Sequence, residues 1–352
     1  MSKLLKYDDF LTLDEATGTY TMSQEQKVRD ETERNRWKDI GLSILKDWRL
    51  YLMLVPMLVV YVLWRYMPMT ELLAAFKDPN TIGATDVSQW YWNGLTNFVD
   101  LFFGAQSSLF WGAFRNTFII AFYGLLFGFP FPIILALFFN EIKSNIARSI
   151  MQVCVYLPKF MSTVIITALT IVLFRGRNIG VLSQALTAIF GANSSIGKTA
   201  ALEWGLLFSD RYFRGIYQIV GIWEHGGYDS IVFFAAVIAV SPTSYEAAQI
   251  DGAGKMQQMR YVVIPSILST VVIMLIMKVG TLLSVGYEKV LLMKNGENQL
   301  SAEIVATLSN SWAGGANQTL GVAAEMVNNL IGMILVIGAN MVARKATDVS
   351  LY

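Results

Sequence analysis

Six long apolar runs dictate what this chain can fold into: about 50–68, 116–139, 150–174, 214–240, 265–288 and 320–343. A helix needs about 20 apolar residues to cross the hydrocarbon core of a bilayer, and each run reaches or approaches that length. Composition agrees, because 54% of the residues are hydrophobic and only 15% are charged, less charge than a soluble domain carries. The expectation is an all-α integral membrane protein with six transmembrane helices. Gly124 and Gly128, or Gly332 and Gly338, put small residues where helix backbones approach closely in lipid, which predicts a packed bundle.

The rest of the composition narrows the chemistry. His225 and Cys154 are the only histidine and the only cysteine. An intramolecular disulfide and a zinc site of several cysteines are therefore excluded, and no catalytic residue or metal ligand is expected. A net charge of +1 points to no nucleic-acid partner.

Residues 1–48 are polar and of mixed charge, without the apolar core of a signal peptide. They are expected to form a partly disordered tail with one short surface helix. Six spans place both termini on one side, and the Lys/Arg bias decides which. The tail, Lys143, Arg148, Lys255, Arg260, Arg344 and Lys345 share the side of the N-terminus, against Lys77, a scatter from Arg175 to Arg211, and Lys294. Cytoplasmic loops carry that excess, so both termini are expected in the cytoplasm and the lipid bilayer around residues 49–345.

Between the fourth and fifth runs, 241–264 is a polar island. Ser241 or Thr243 can cap a helix, Pro242 suits a first helical position, and Glu246 stands three after Thr243 as a capping box requires. That helix should stop near Gly252 and Gly254, and a second should carry Met256 to Tyr261 toward Pro265. Packed against lipid, such a helix–break–helix makes little sense; lying across the cytoplasmic surface in a partner's groove, it does.

The residues Glu246-Ala247-Ala248, three more, Gly252, and then Ile264-Pro265 resemble the signature loop of the membrane subunits of binding-protein-dependent ABC importers. Trp90, Gly94-Leu95-Thr96-Asn97-Phe98, Arg115-Asn116-Thr117 and Gly286-Tyr287-Glu288-Lys289-Val290-Leu291-Leu292 look like the carbohydrate-uptake branch, especially permeases for oligo- or polysaccharides. The resemblance covers roughly Arg49 to Lys345. It implies a type I ABC importer permease fold with a cytoplasmic coupling helix, in a bacterial plasma membrane. The partners it implies are an ABC ATPase dimer that uses the ATP, a second permease subunit of a different chain, and an extracellular or periplasmic sugar-binding protein. No cofactor is expected on this chain. Tyr245, Glu246, Ala247, Ala248, Ile250, Asp251, Gly252 and Pro265 are the implied ATPase-coupling residues.

Polar residues inside the runs are the candidates for a substrate path. Gly226 and Gly227 predict a break in the fourth run, with Asp229 or Ser230 capping the half that follows, or else a kink satisfied by a neighbouring helix. Lys159, Lys278, Glu288, Glu325, Asn328 and Asn329 also fall at membrane depth, where ionisable groups face a cavity or a partner; Lys278 and Glu288 could instead snorkel to the interface. Trp223, Tyr287, Glu288 and Asn328 are the preferred substrate-facing residues, since aromatic faces and amide or carboxylate acceptors suit sugars. The aromatic 67–113 connection is expected along the outer interface, or as a docking surface for a binding protein.

Gly191-Ala-Asn-Ser-Ser-Ile-Gly-Lys198-Thr199 imitates a phosphate-binding loop, but five residues separate its glycines where four are needed. The competing functional class is an ion-gradient-driven secondary transporter. It needs its own coupling carboxylates deep in the spans, for which Glu288 and Glu325 are the available residues.

Overall fold

The computed structural model describes residues 11–14, 19–22, 46–78, 87–177, 179–313, 315 and 317–347. Most of the 1–48 tail, with its expected surface helix, lies outside the described residues. Where the tail is described it is a pair of antiparallel strands, β1 (Leu11–Asp14) and β2 (Thr19–Met22). The Leu-Thr-Leu and Thr-Tyr-Thr alternation favours this extended pairing.

The chain divides into two compact units, Met1–Glu71 and Leu72–Tyr352. In the first, α1 (Trp48–Tyr61) continues through a wider turn at Val62–Tyr66, and every residue of 48–66 is exposed. A helix that is apolar all round is made for lipid.

The second unit begins with a short hairpin, β3 (Lys77–Asp78) against β4 (Tyr91–Trp92). Its helices are α2 (Thr96–Phe103), α3 (Ser107–Tyr123), α4 (Pro130–Glu141), α5 (Asn145–Tyr156), α6 (Thr163–Leu173), α7 (Val181–Phe190), α8 (Ser195–Ala201), α9 (Phe213–Ile238) and α10 (Pro242–Ile250). They continue with α11 (Lys255–Gln258), α12 (Ile264–Gly280), α13 (Tyr287–Met293), α14 (Gln299–Ala302), α15 (Val305–Trp312) and α16 (Gln318–Thr347). Four continuous helical stretches are long and apolar enough to cross a membrane: Trp48–Phe76, Ser107–Glu141, Lys255–Gly280 and Gln318–Lys345. Two bent pairs raise the number to six.

Three of these stretches contain one π-helical turn, and each turn lies just ahead of a proline. Val62–Tyr66 precedes Pro68, Gly124–Gly128 precedes Pro130, and Met259–Val263 precedes Pro265. Proline has no N–H to donate and its ring excludes the carbonyl four residues back. Widening the helix by one residue relieves that clash without breaking the span. Beside the third turn, the Ser266 hydroxyl donates to the Val262 carbonyl at 2.7 Å.

Two apolar runs depart from the expected straight spans, and a third departs from an expected break or kink. The 150–174 run is two helical segments, Asn145–Phe160 and Thr163–Leu173, bent by 99°. Pro158 sits in the tight turn Leu157–Phe160 that ends the first segment, so the chain cannot continue as one α-helix. The 265–288 run ends its helix at Gly280, and Tyr287 opens a separate short helix. The fourth run, in contrast, has no break, because α9 runs unbroken through Gly226 and Gly227. Those glycines serve helix packing. A Cβ on Gly227 would lie 2.1 Å from the Val155 carbonyl oxygen of α5, and one on Gly226 would lie 2.5 Å from the Phe131 ring of α4. Helices meet this closely in lipid only where a side chain is missing.

Side-chain amides and hydroxyls tie the connections to the bundle. Asn97 donates to the carbonyls of Ala75 and Lys77 at 3.0 and 2.9 Å. Asn116 donates to those of Leu300 and Glu303, both at 2.9 Å, and accepts from Arg214 at 2.7 Å. Thr117 accepts from the Val305 N–H at 3.0 Å. The Asn97 and Asn116-Thr117 positions therefore hold connecting segments in place, and Trp90 packs with Ala74 and Val87. Around them Leu101, Phe110, Ala113, Val305, Leu308 and Ala323 form one buried cluster, and Ile120, Ile166, Leu206, Phe213 and Val290 belong to a second.

Candidate functional site

Two neighbourhoods carry the chemistry, and α9 belongs to both. Its C-terminal end leads, across the short break Ala239–Ser241 and a 67° bend, into α10. Pro242 occupies the first helical position and Ser241 the cap. The expected capping box of Thr243 and Glu246 does not form: Ser241 Oγ and Thr243 Oγ1 bond each other at 2.7 Å, and Glu246 stays exposed. The C-terminal stop is as the glycine pattern predicts. Ala253 N–H reaches the Ala248 carbonyl at 2.9 Å, Gly252 N–H reaches that of Gln249 at 3.0 Å, and Gly252 has a φ of 76°. This is a Schellman cap, which satisfies the last carbonyls by letting the chain turn left-handed.

Gly252 has open space around it, so alanine there meets only the backbone cost of the left-handed region, about 1–2 kcal/mol. The expected result for Gly252→Ala is a protein that stays folded but is cleaved faster within 250–256 by a protease in mild detergent. Unchanged cleavage would show that the cap does not order the turn.

No residue of α10 is buried. Ala248 is half-buried, as is Tyr245, which packs beside Val237, Val263 and Ile267. Burial pushes its phenol up, partly opposed by a hydrogen bond with Asn140. Lys255 pairs with Glu141 at the end of α4, anchoring the return into α11 and α12. Glu246 and Ala247 are exposed, as are Ile250 (86%), Met256 (73%) and Tyr261 (69%). Tyr245, Glu246, Ala247, Ala248, Ile250, Asp251 and Gly252 thus share one short helix and its cap, and Pro265 opens the membrane helix that follows.

The second neighbourhood is a cavity of about 420 Å³ between α9, α12, α13 and the π turn at Gly124–Gly128. Its walls carry many polar side chains although the helices that build them are largely apolar. Tyr217, Gln218, Glu224, His225 and Asp229 come from α9, Lys278 from α12, and Tyr287, Glu288 and Lys289 from α13. Lys289 Nζ lies 2.6 Å from Glu224 Oε2, with both side chains buried (7% and 8% exposed). His225 Nδ1 is 3.6 Å from the same oxygen, and Lys289 sits 5.3 Å from the Tyr217 ring centre. Lys278 faces Asp229 at 3.9 Å instead of snorkelling alone. Gln218 donates to the Ile120 carbonyl at 2.6 Å.

Of the four sequence-chosen substrate residues, the structure brings together two. Tyr287 and Glu288 line the cavity, in the first turn of α13. Trp223 is 45% exposed and is absent from the cavity wall. Asn328 is buried elsewhere, its Nδ2 3.4 Å from the Leu283 carbonyl. Glu224 and Lys289 were missed. Each was visible as a charge inside an apolar run or a matching motif, but only folding shows that the two meet across 65 residues. Glu224 also adds a deep carboxylate to the two counted from sequence. The 191–199 segment is the turn after α7 together with the first residues of α8, with Ser194 capping α8 by accepting from the Gly197 N–H at 3.0 Å.

Residues 128–286 match the model of the family described as binding-protein-dependent transport system inner membrane component. The chain is 33% identical to Protein LplB of Bacillus subtilis (strain 168) over 331 residues, covering 93% of this chain and 98% of that one. It is 32% identical to the polygalacturonan/rhamnogalacturonan transport system permease protein YteP of the same organism, covering 91% and 95%. A crystal structure of a bacterial ABC transporter involved in the import of the acidic polysaccharide alginate contains a chain that superposes with a TM-score of 0.75 at 33% identity, over 89% of this chain and 99% of that one. The same alginate transporter in complex with an alginate pentasaccharide-bound periplasmic protein gives 0.75 at 32%. With the fold, the span-to-span helix α10 and these likenesses in agreement, the chain belongs to the multi-pass membrane permeases of binding-protein-dependent ABC importers.

Proposed function

We propose that this chain is one of two permease subunits importing a carbohydrate, an oligo- or polysaccharide, through the membrane at the expense of ATP hydrolysed by a separate ATPase dimer. The observation that carries it is the continuity of α9, whose middle lines a polar cavity and whose end passes into the exposed helix α10. In this reading residues 49–345 form a six-span domain in a bacterial plasma membrane with both termini in the cytoplasm. The 241–264 connection meets the ATPase, and a sugar-binding protein delivers cargo on the opposite side. The relatives named for polygalacturonan, rhamnogalacturonan and alginate support the cargo class.

The mechanism follows from what each part can do. Ala247 and the exposed Ile250 allow close approach to an apolar groove, and Glu246 offers a charge to a basic residue there. ATP binds the closed ATPase dimer better than the open one, so binding shifts the population and carries α10 with it. Because α9 is unbroken and pinned to α5 at Gly227, motion at its end reaches the cavity wall. Glu288 and Tyr287 would then present an acceptor and a ring face to the sugar. ATP is bound by the partner and not by this chain.

The test is purification of the tagged chain in mild detergent, mass spectrometry of its companions, and uptake by the assembly in proteoliposomes. Co-purification of an ATPase, a second permease and a sugar-binding protein is expected, with uptake dependent on ATP. Glu246→Lys is expected to leave the chain in the membrane while lowering ATP-dependent uptake at least tenfold. A chain that purifies alone and transports on an ion gradient without ATP would install the secondary-transporter reading instead.

A further inference from the structure

We propose that the cavity receives the uncharged, hydroxyl-rich part of a glycan, and that Glu288 sets this preference by repelling sugar carboxylates. The inference rests on the reading of the chain as a sugar-importer permease and adds the charge class of the cargo.

Two ammonium groups line the cavity, and each faces a carboxylate, one closely and one loosely. Lys289 is buried against Glu224 at 2.6 Å, and Lys278 stands 3.9 Å from Asp229. Lys159 acts electrostatically on Lys289 and His225 but does not line the cavity. Glu288 is a third carboxylate in the same wall, exposed, and without a hydrogen bond or ion pair among the described residues. Among the side chains that line the cavity, three carboxylates outnumber two ammonium groups.

A uronate entering here finds one ammonium group buried in an ion pair, the other already facing a carboxylate, and the unpaired like charge of Glu288 in front of it. Repulsion between like charges is stronger beside low-dielectric helices than in bulk water, and such juxtaposition is how sites reject wrong partners. A sugar hydroxyl meets the opposite situation. An ionised carboxylate accepts at both oxygens and donates nothing, which matches adjacent hydroxyls on a pyranose ring, while Tyr287 next to it offers an aromatic face. The structure thus assigns this chain's share of the path to neutral hydroxyl recognition, in contrast to the alginate and polygalacturonan cargoes named for its relatives.

The experiment is equilibrium dialysis of radiolabelled tetrasaccharides, a neutral panel and a uronic panel, against the purified permease–ATPase assembly without binding protein. Wild type is expected to hold the best neutral tetrasaccharide at least tenfold more tightly than the best uronic one. Glu288→Gln is expected to narrow that gap at least fivefold by improving uronate binding, and Glu288→Lys to narrow it further. Uronate binding as tight as neutral binding in wild type, or a gap unchanged by Glu288→Gln, overturns the inference. So does binding of neither panel by an assembly that still performs ATP-dependent uptake. In each of these cases the importer reading stands, since that reading fails only if uptake does not depend on ATP.

Discussion

Replacing Lys289 with methionine is expected to destabilise the permease by about 3–5 kcal/mol, because the Glu224 carboxylate is left buried without its cation. His225 at 3.6 Å is a poor substitute, standing beyond hydrogen-bond distance of the same oxygen. Glu224→Gln alone should be damaging for the mirror reason, leaving an ammonium group in the same place. The double variant Glu224→Gln/Lys289→Met should recover much of the loss, since a buried pair replaced together by uncharged groups of similar volume is often close to neutral. Fluorescence-detected size-exclusion after heating in detergent measures all four proteins. If the double variant survives no better than the worse single one, the two residues do not form a unit.

The second large effect is expected at Gly227. Alanine there places a methyl group 2.1 Å from the Val155 carbonyl oxygen, and a backbone atom cannot rotate away as a side chain can. Either α5 and α9 separate or one of them bends, and overpacking of this kind costs about 1–3 kcal/mol and occasionally more. Gly226→Ala is the internal control. Its Cβ meets the Phe131 ring at 2.5 Å, a side chain that can swing. Gly227→Ala should therefore lose more monodisperse protein, and more ATP-dependent uptake, than Gly226→Ala. The opposite order would mean that Phe131, and not the α5 backbone, limits the helix crossing.

These predictions share a location. Glu224, Gly226, Gly227 and Asp229 occupy less than two turns of α9, and they face a buried ion pair, two neighbouring helices and the cavity. Packing with α4 and α5 makes this helix a stiff member, which fits the proposal that it carries displacement from α10 to the cavity wall. The same stretch looked from sequence like a break, because two consecutive glycines lower helix propensity and carry no contacts of their own.

Sequence by itself determined the class of the molecule and the form of its polar loop. Runs of about 20 apolar residues have no stable alternative to crossing lipid as helices. Pro242 and Gly252 act through their own φ, so the start and stop of α10 were legible locally. Prolines at 68, 130 and 265 acted locally too, but through the width of a helical turn, which an apolar run does not display. Only the tertiary structure decided which polar residues meet. Trp223 and Asn328 were reasonable choices by side-chain chemistry and do not line the cavity, whereas Glu224 and Lys289, 65 residues apart, become partners when α13 folds back on α9. The periodicity of a run tells which residues share a face. It does not tell which neighbour that face will meet, because in lipid the choice is made by close packing and charge pairing between helices that are equally apolar.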